Sequence, residues 1–253
     1  MTEEHKDETA AESFVSHLVE LRDRLVRASV AILIVFLCMM PWSGQIYDFL
    51  AYPMMSALPV GSKMIATGVL TPFMVPLKVT LLAAFIVTLP WVLYQAWAFV
   101  APGLYAHEKR LIAPLVISSS LLFVLGIAFC YFFVFHVVFK VINEWAPKSI
   151  NVSPDIESYF DFAMTMFIAF GLTFEVPIVV VVLVRMGLVS VEKLKEFRPY
   201  IVVGAFVIAA VVTPPDATSM LMLAIPLCVL FEVGLLVAPL FVKLTQAPEE
   251  SLS

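Results

Sequence analysis

Six long apolar runs dominate this chain, and they restrict it to very few folds. A helix rises about 1.5 Å per residue and the hydrocarbon layer of a bilayer is about 30 Å thick, so runs of about 20 apolar residues are long enough to cross it. Inside that layer each backbone polar group must bond within its own segment, which makes such runs helices. The candidate spans are residues 26–42, 73–100, 111–139, 159–184, 199–213 and 217–241. With 62% hydrophobic and 14% charged residues, the composition lies outside the range of soluble globules. The expected fold class is all-α: a polytopic membrane protein with six transmembrane helices, two of them short, forming a concave wall.

Charge placement sets the expected orientation, because cytoplasmic loops accumulate Lys and Arg. With the N-terminus inside, Lys6, Arg22, Arg24, Arg27, Lys109, Arg110, Arg185, Lys193, Lys195, Arg198 and Lys243 face the cytoplasm, eleven of the 15 basic residues. Lys63, Lys140 and Lys148 then lie outside, and Lys78 falls within the second span. Both termini are expected in the cytoplasm. The net charge of −5 arises at the acidic ends, and the scattered basic residues form no surface for nucleic acid. The first dozen residues carry no basic leader and no small-residue cleavage site, so no cleaved signal peptide is expected. The domain expectation is a disordered acidic cytoplasmic head (1–12), a single six-helix membrane domain (13–243) and a cytoplasmic tail (244–253).

The spans differ in length. The second and third have about 28 residues, roughly 40 Å as helices, whereas the fifth has about 15 and reaches about 22 Å. Between the last two lies Thr213-Pro214-Pro215-Asp216, a tight outer turn in which Pro215 donates no backbone hydrogen bond and Asp216 can cap the next helix. Pro226 and Pro239 interrupt the sixth span. The first outer segment, about 43–71, is expected to form short helices over the bundle, with Pro53 turning the chain.

Polar residues near or within the spans are the candidates for function. Phe14, Leu18, Leu21 and Leu25 form one helical face, while Ser13, Ser16, His17, Glu20, Arg24 and Arg27 occupy much of the other. Such a helix can rest in the inner interface before turning into the first span. Glu20 is either an ordinary i,i+4 partner of Arg24 or half of an acidic site for a cation. Glu108 lies in the loop between the second and third spans. It either caps the next helix or forms the other half of that site. Phe99 and Tyr105 suit an aromatic belt or a ligand flank. Glu175, in Phe174-Glu175-Val176-Pro177, lies near the middle of the fourth span, where a charge must be neutral, paired or wet. Glu232 and Lys78 lie closer to span ends and read as structural.

Catalytic constellations are missing from the sequence. Gly61-Ser62-Lys63 lacks the preceding glycine of a phosphate-binding loop, and His107-Glu108 lacks the second histidine of a zinc-protease helix. No metal, no cofactor and no enzymatic activity are expected. Cys38, Cys130 and Cys228 each lie in an apolar run and read as buried packing thiols.

Five stretches, in order, carry a family resemblance: His17-Leu18-Val19-Glu20-Leu21-Arg22; Tyr94 to Tyr105 leading to Glu108; Phe170 to Pro177; Arg198-Pro199-Tyr200; and Thr213-Pro214-Pro215-Asp216. Together they resemble the TatC family, the large subunit of the twin-arginine protein translocase, over nearly the whole chain. The resemblance implies a multi-pass protein of the bacterial inner membrane that receives twin-arginine signal peptides of folded cargo at the cytoplasmic face. It also implies protonmotive-force-driven export with single-span TatA/TatB-type subunits, other copies of the chain and the lipid bilayer as partners. Glu20 and Glu108 then meet the paired arginines, with Phe99, Arg22 and Tyr105 in the contact region. Pro53 falls in the outer cap, and Pro214, Pro215 and Asp216 form the outer turn. Glu175 falls on the face that signal and partners approach, with Thr218 and Met220. Met220 departs from the Gln that many relatives carry there, a role Thr218 or Ser219 could take. The alternative from the residues alone is a proton-coupled small-molecule transporter using Glu175.

Overall fold

The computed structural model describes residues 4–58, 63–100, 112–145, 153–213 and 217–246. Among them there are no strands: helices joined by short connectors make up the fold, and a single parallel bridge links Ile65 and Asp155. The helices are α1 (Glu4–Met39), α2 (Ser43–Ala57), α3 (Thr71–Val100), α4 (Ile112–Phe129), α5 (Phe135–Trp145), α6 (Ile156–Arg185), α7 (Val191–Glu196), α8 (Arg198–Val212) and α9 (Ala217–Gln246). Five helical stretches are long and apolar enough to cross a membrane, and α8, with 15 residues, is a shorter apolar helix.

Several elements differ from the sequence expectation. α1 is continuous from Glu4 into the first span, with no turn between the amphipathic stretch and the span. Nothing between His17 and Met39 is Pro or Gly, so nothing there breaks the helix. Pro53 does not turn the chain; it lies inside α2. A proline removes the N–H that would bond the carbonyl four residues earlier, here Phe49, and the Tyr131 hydroxyl donates to that carbonyl at 2.8 Å instead. The Tyr159 hydroxyl donates to the adjacent Leu50 carbonyl at 2.7 Å. Tyr131 belongs to a π-helical turn, Cys130–Val134, that separates α4 from α5 within the third span. α9 is not interrupted at its prolines: it runs 30 residues through both Pro226 and Pro239. Cys130 is buried, but Cys38 lies on an exposed face of α1. Pro214, Pro215 and Asp216 lie outside the described residues.

By compactness the chain forms two units. The first comprises residues 1–41 and 81–120. In it the Trp97 indole N–H donates to the Ser119 hydroxyl at 3.0 Å, tying α3 to α4. The apolar face of α1 is left largely uncovered by protein, including Val30, Leu33, Ile34 and Leu37.

The second unit comprises residues 42–80 and 121–253. Its core is aromatic, with Phe135, Phe139, Phe160 and Phe170 fully buried. Within lipid, helices gain little from water exclusion and must hold by close packing. α6 and α9 achieve this at Gly234, where a Cβ would lie 3.0 Å from the Pro177 Cα. Beyond the C-cap Met186 of α6 comes Gly187, whose φ of 67° suits the position after a helix. The Ser190 hydroxyl then accepts from the Lys193 N–H at 3.2 Å and starts α7. Pro199 opens α8, and Thr213 closes it in extended backbone.

At the other end of this unit, the Asp155 carboxylate caps α6 by accepting from the Ser158 N–H at 3.0 Å. It also accepts from the Thr67 N–H and hydroxyl, at 3.2 and 2.9 Å. The Ser158 amide and the Thr67 hydroxyl hold its pKa down to about 2. Nearby, Lys78 pairs with Glu157 at 3.2 Å and Asp161 at 3.0 Å.

Candidate functional site

The first unit gathers one set of the expected site residues. Glu20 and Arg24 are one helical turn apart on α1, so their side chains meet along the same face. Arg24 Nε and Nη2 both donate to Glu20 Oε1, at 2.9 and 2.6 Å. The side chains are 35% and 21% exposed, so the pair is partly shielded. Arg24 Nη1 reaches Gln95 Oε1 on α3 at 3.5 Å, and Gln95 itself is buried. His17, three residues before Glu20, places Nδ1 3.9 Å from Glu20 Oε2. Its ring stacks on Phe99, with centroids 4.2 Å apart and an interplanar angle of 18°. An open groove of about 330 Å³ lies along this face of α1, lined by Ser16, Val19, Glu20, Asp23, Arg24 and Arg27.

The site therefore joins a carboxylate, an aromatic plate and a guanidinium already seated on that carboxylate. Such a surface suits a cation with a planar donor fork followed by apolar chain. Arg22 is turned to its neighbour, with Nε and Nη2 donating to Asp23 Oδ1 at 3.0 and 2.8 Å. Glu108 and Tyr105 lie outside the described residues. Gln95 and the His17–Phe99 stack were not singled out from the sequence. Gln95 could have been, as a lone amide within the apolar run of α3.

In the second unit, Glu175 is 7% exposed on α6, beside buried Thr173 and Phe174. Pro177 leaves the Thr173 carbonyl without its helical donor, adding polarity one turn away. Thr218 and Met220 are half-buried in the first turn of α9, and Ser219 between them is fully buried. Glu232 on α9 accepts from Arg198 Nη2 on α8 at 2.6 Å. Among the described residues no three His, Cys, Asp or Glu side chains come together as a metal site.

Residues 16–226 match the family described as Sec-independent protein translocase protein (TatC). The Sec-independent protein translocase protein TatC of Haemophilus influenzae is 48% identical over 228 residues, covering 90% of this chain and 89% of its own. The protein of that name from Escherichia coli is 46% identical over 236 residues, covering 93% of this chain and 92% of its own. A solved structure, described as the crystal structure of the twin arginine translocase receptor TatC, matches with a TM-score of 0.78 and 35% identity. The match covers 88% of this chain and 98% of that one.

Proposed function

The chain belongs to the TatC family, and from that premise we propose that it is the signal receptor and assembly core of a twin-arginine translocase. It is a multi-pass helical membrane protein of Sec-independent protein transport. In our reading it lies in the bacterial inner membrane with both termini cytoplasmic. It takes the paired arginines of a signal peptide on Glu20 and Glu108, with Phe99, Tyr105 and Arg22 around them. It performs no catalytic turnover, and single-span TatA/TatB-type subunits approach the Glu175 region, where Thr218 and Met220 stand on α9. The small-molecule transporter alternative is unsupported, since the relatives are named as protein translocase components.

The observation that carries this reading is the match of residues 16–226 to the TatC family; Glu20 itself is held by Arg24 at 2.6 Å, the i,i+4 pairing its spacing allows, beside the His17–Phe99 stack. A partly exposed pair contributes only about 0–1 kcal/mol, so two such contacts confer specificity more than affinity. Burial of the apolar part of the signal supplies the rest, at about 25 cal/mol per Å² removed from water. In site-specific photocrosslinking with an Arg-Arg signal peptide, Glu20→Ala and Glu108→Ala are expected to lose the crosslink while the protein remains membrane-inserted. Undiminished crosslinking in both variants would overturn the assignment.

A further inference from the structure

Arg24 takes up Glu20 unevenly. Both of its donating nitrogens end on Oε1, while Oε2 faces His17 Nδ1 at 3.9 Å. The guanidinium is steadied from α3 by Gln95 at 3.5 Å, at the limit of a hydrogen bond. Of the other charged side chains along this groove, Asp23 receives Arg22, and Arg27 lies one turn beyond Asp23. The groove thus already contains the chemical group that the ligand is proposed to bring.

We infer that Arg24 is a built-in competitor for Glu20 and a specificity-determining residue of the site, making it select guanidinium over ammonium. The inference rests on the reading that Glu20 receives a signal arginine. Arg24 cancels most of the charge attraction that a bare carboxylate exerts on any cation. What remains is hydrogen-bond geometry. An incoming guanidinium can take Oε2, or can replace both Arg24 bonds at Oε1 with two of its own. A lysine ammonium is a compact, strongly hydrated point charge without a planar fork, so it cannot match that exchange. Without Arg24, charge attraction returns and lysine becomes an acceptable ligand.

The test uses the full chain in membranes with its partner subunits, comparing capture of synthetic Arg-Arg and Lys-Lys signal peptides. Arg24→Gln is expected to raise Lys-Lys capture more than Arg-Arg capture. The Arg-Arg to Lys-Lys ratio should fall by roughly fivefold, about the most that a partly exposed ion pair supplies. Arg24→Lys keeps the charge but loses the two-bond hold, and should lower the ratio by a smaller factor; it serves if the Gln variant does not insert. An unchanged ratio in an inserted variant, or a parallel fall of both peptides, overturns the inference and leaves Arg24 a support for Glu20. Glu20→Gln in the same assay separates the two levels. If it leaves Arg-Arg capture intact, the underlying site reading fails and the inference fails with it. If it abolishes capture while Arg24→Gln leaves the ratio unchanged, only the role of Arg24 fails.

Discussion

Tyr131 and Tyr159 show how single hydroxyls sustain a backbone that the sequence alone suggests should break. Phe49 O has no helical donor because the residue one turn on is Pro53, whereas Leu50 O still faces the N–H of Met54 within α2. The two tyrosine hydroxyls are therefore not equivalent. Tyr131→Phe leaves a carbonyl without a donor and is expected to cost about 1–3 kcal/mol, and Tyr159→Phe less. Thermal unfolding of the purified variants in detergent measures both, and equal shifts would refute the distinction. Legibility at this scale depends on sequence distance. The Glu20–Arg24 pair could be read from a four-residue spacing, since helix geometry alone brings the two together. The Tyr131 to Phe49 bond joins residues 82 positions apart, and no local pattern encodes it.

Among elements, α8 is the exception. Its 15 residues span about 22 Å, well short of a 30 Å hydrocarbon layer, so lipid beside it must thin or polar groups must enter. Inserting three leucines near its middle is expected to impair export while leaving signal capture intact, as read by cargo transport and photocrosslinking in parallel. Normal export in that variant would show that the short span is incidental. The ends of α8 were readable to within one residue, because Pro199 opens it and Thr213 closes it. The π turn at Cys130–Val134 was not readable, since its residues are as apolar and aromatic as those of the helices around it. Pro226 and Pro239 suggest an interruption of the sixth span. Prolines in lipid-embedded helices are tolerated where neighbouring groups satisfy the freed carbonyls, and α9 continues through both.

For the whole molecule, hydropathy made the class and the apolar spans legible, because a bilayer permits so few solutions, and five ordered motifs made the family legible. The division into two compact units was not, since two of its boundaries fall within the unbroken helices α3 and α4. The site was legible only as separate carboxylates, and its assembly from α1 and α3 depends on contacts such as Arg24 to Gln95, 71 positions apart. Global stability should carry the mark of Asp155. Its folded pKa of about 2 lies below the ordinary value of 3.8, so the ionised carboxylate stabilises the fold above about pH 3.8. That contribution declines as pH falls toward 2 and is lost below it. Asp155→Ala is expected to be less stable than the parent chain from pH 7 down to about 4, with the gap closing below that. Unfolding curves across this range check the sign, and a gap that widens toward acid would contradict it. The same carboxylate joins the chain around Thr67 to the start of α6, and in the proposed orientation this joint faces the side that respiration acidifies. Because Asp155 holds its proton less tightly than an ordinary carboxylate, mild acidification leaves it ionised and the joint closed. The joint between the chain around Thr67 and the start of α6 is thus poorly suited to sense protons near neutral pH.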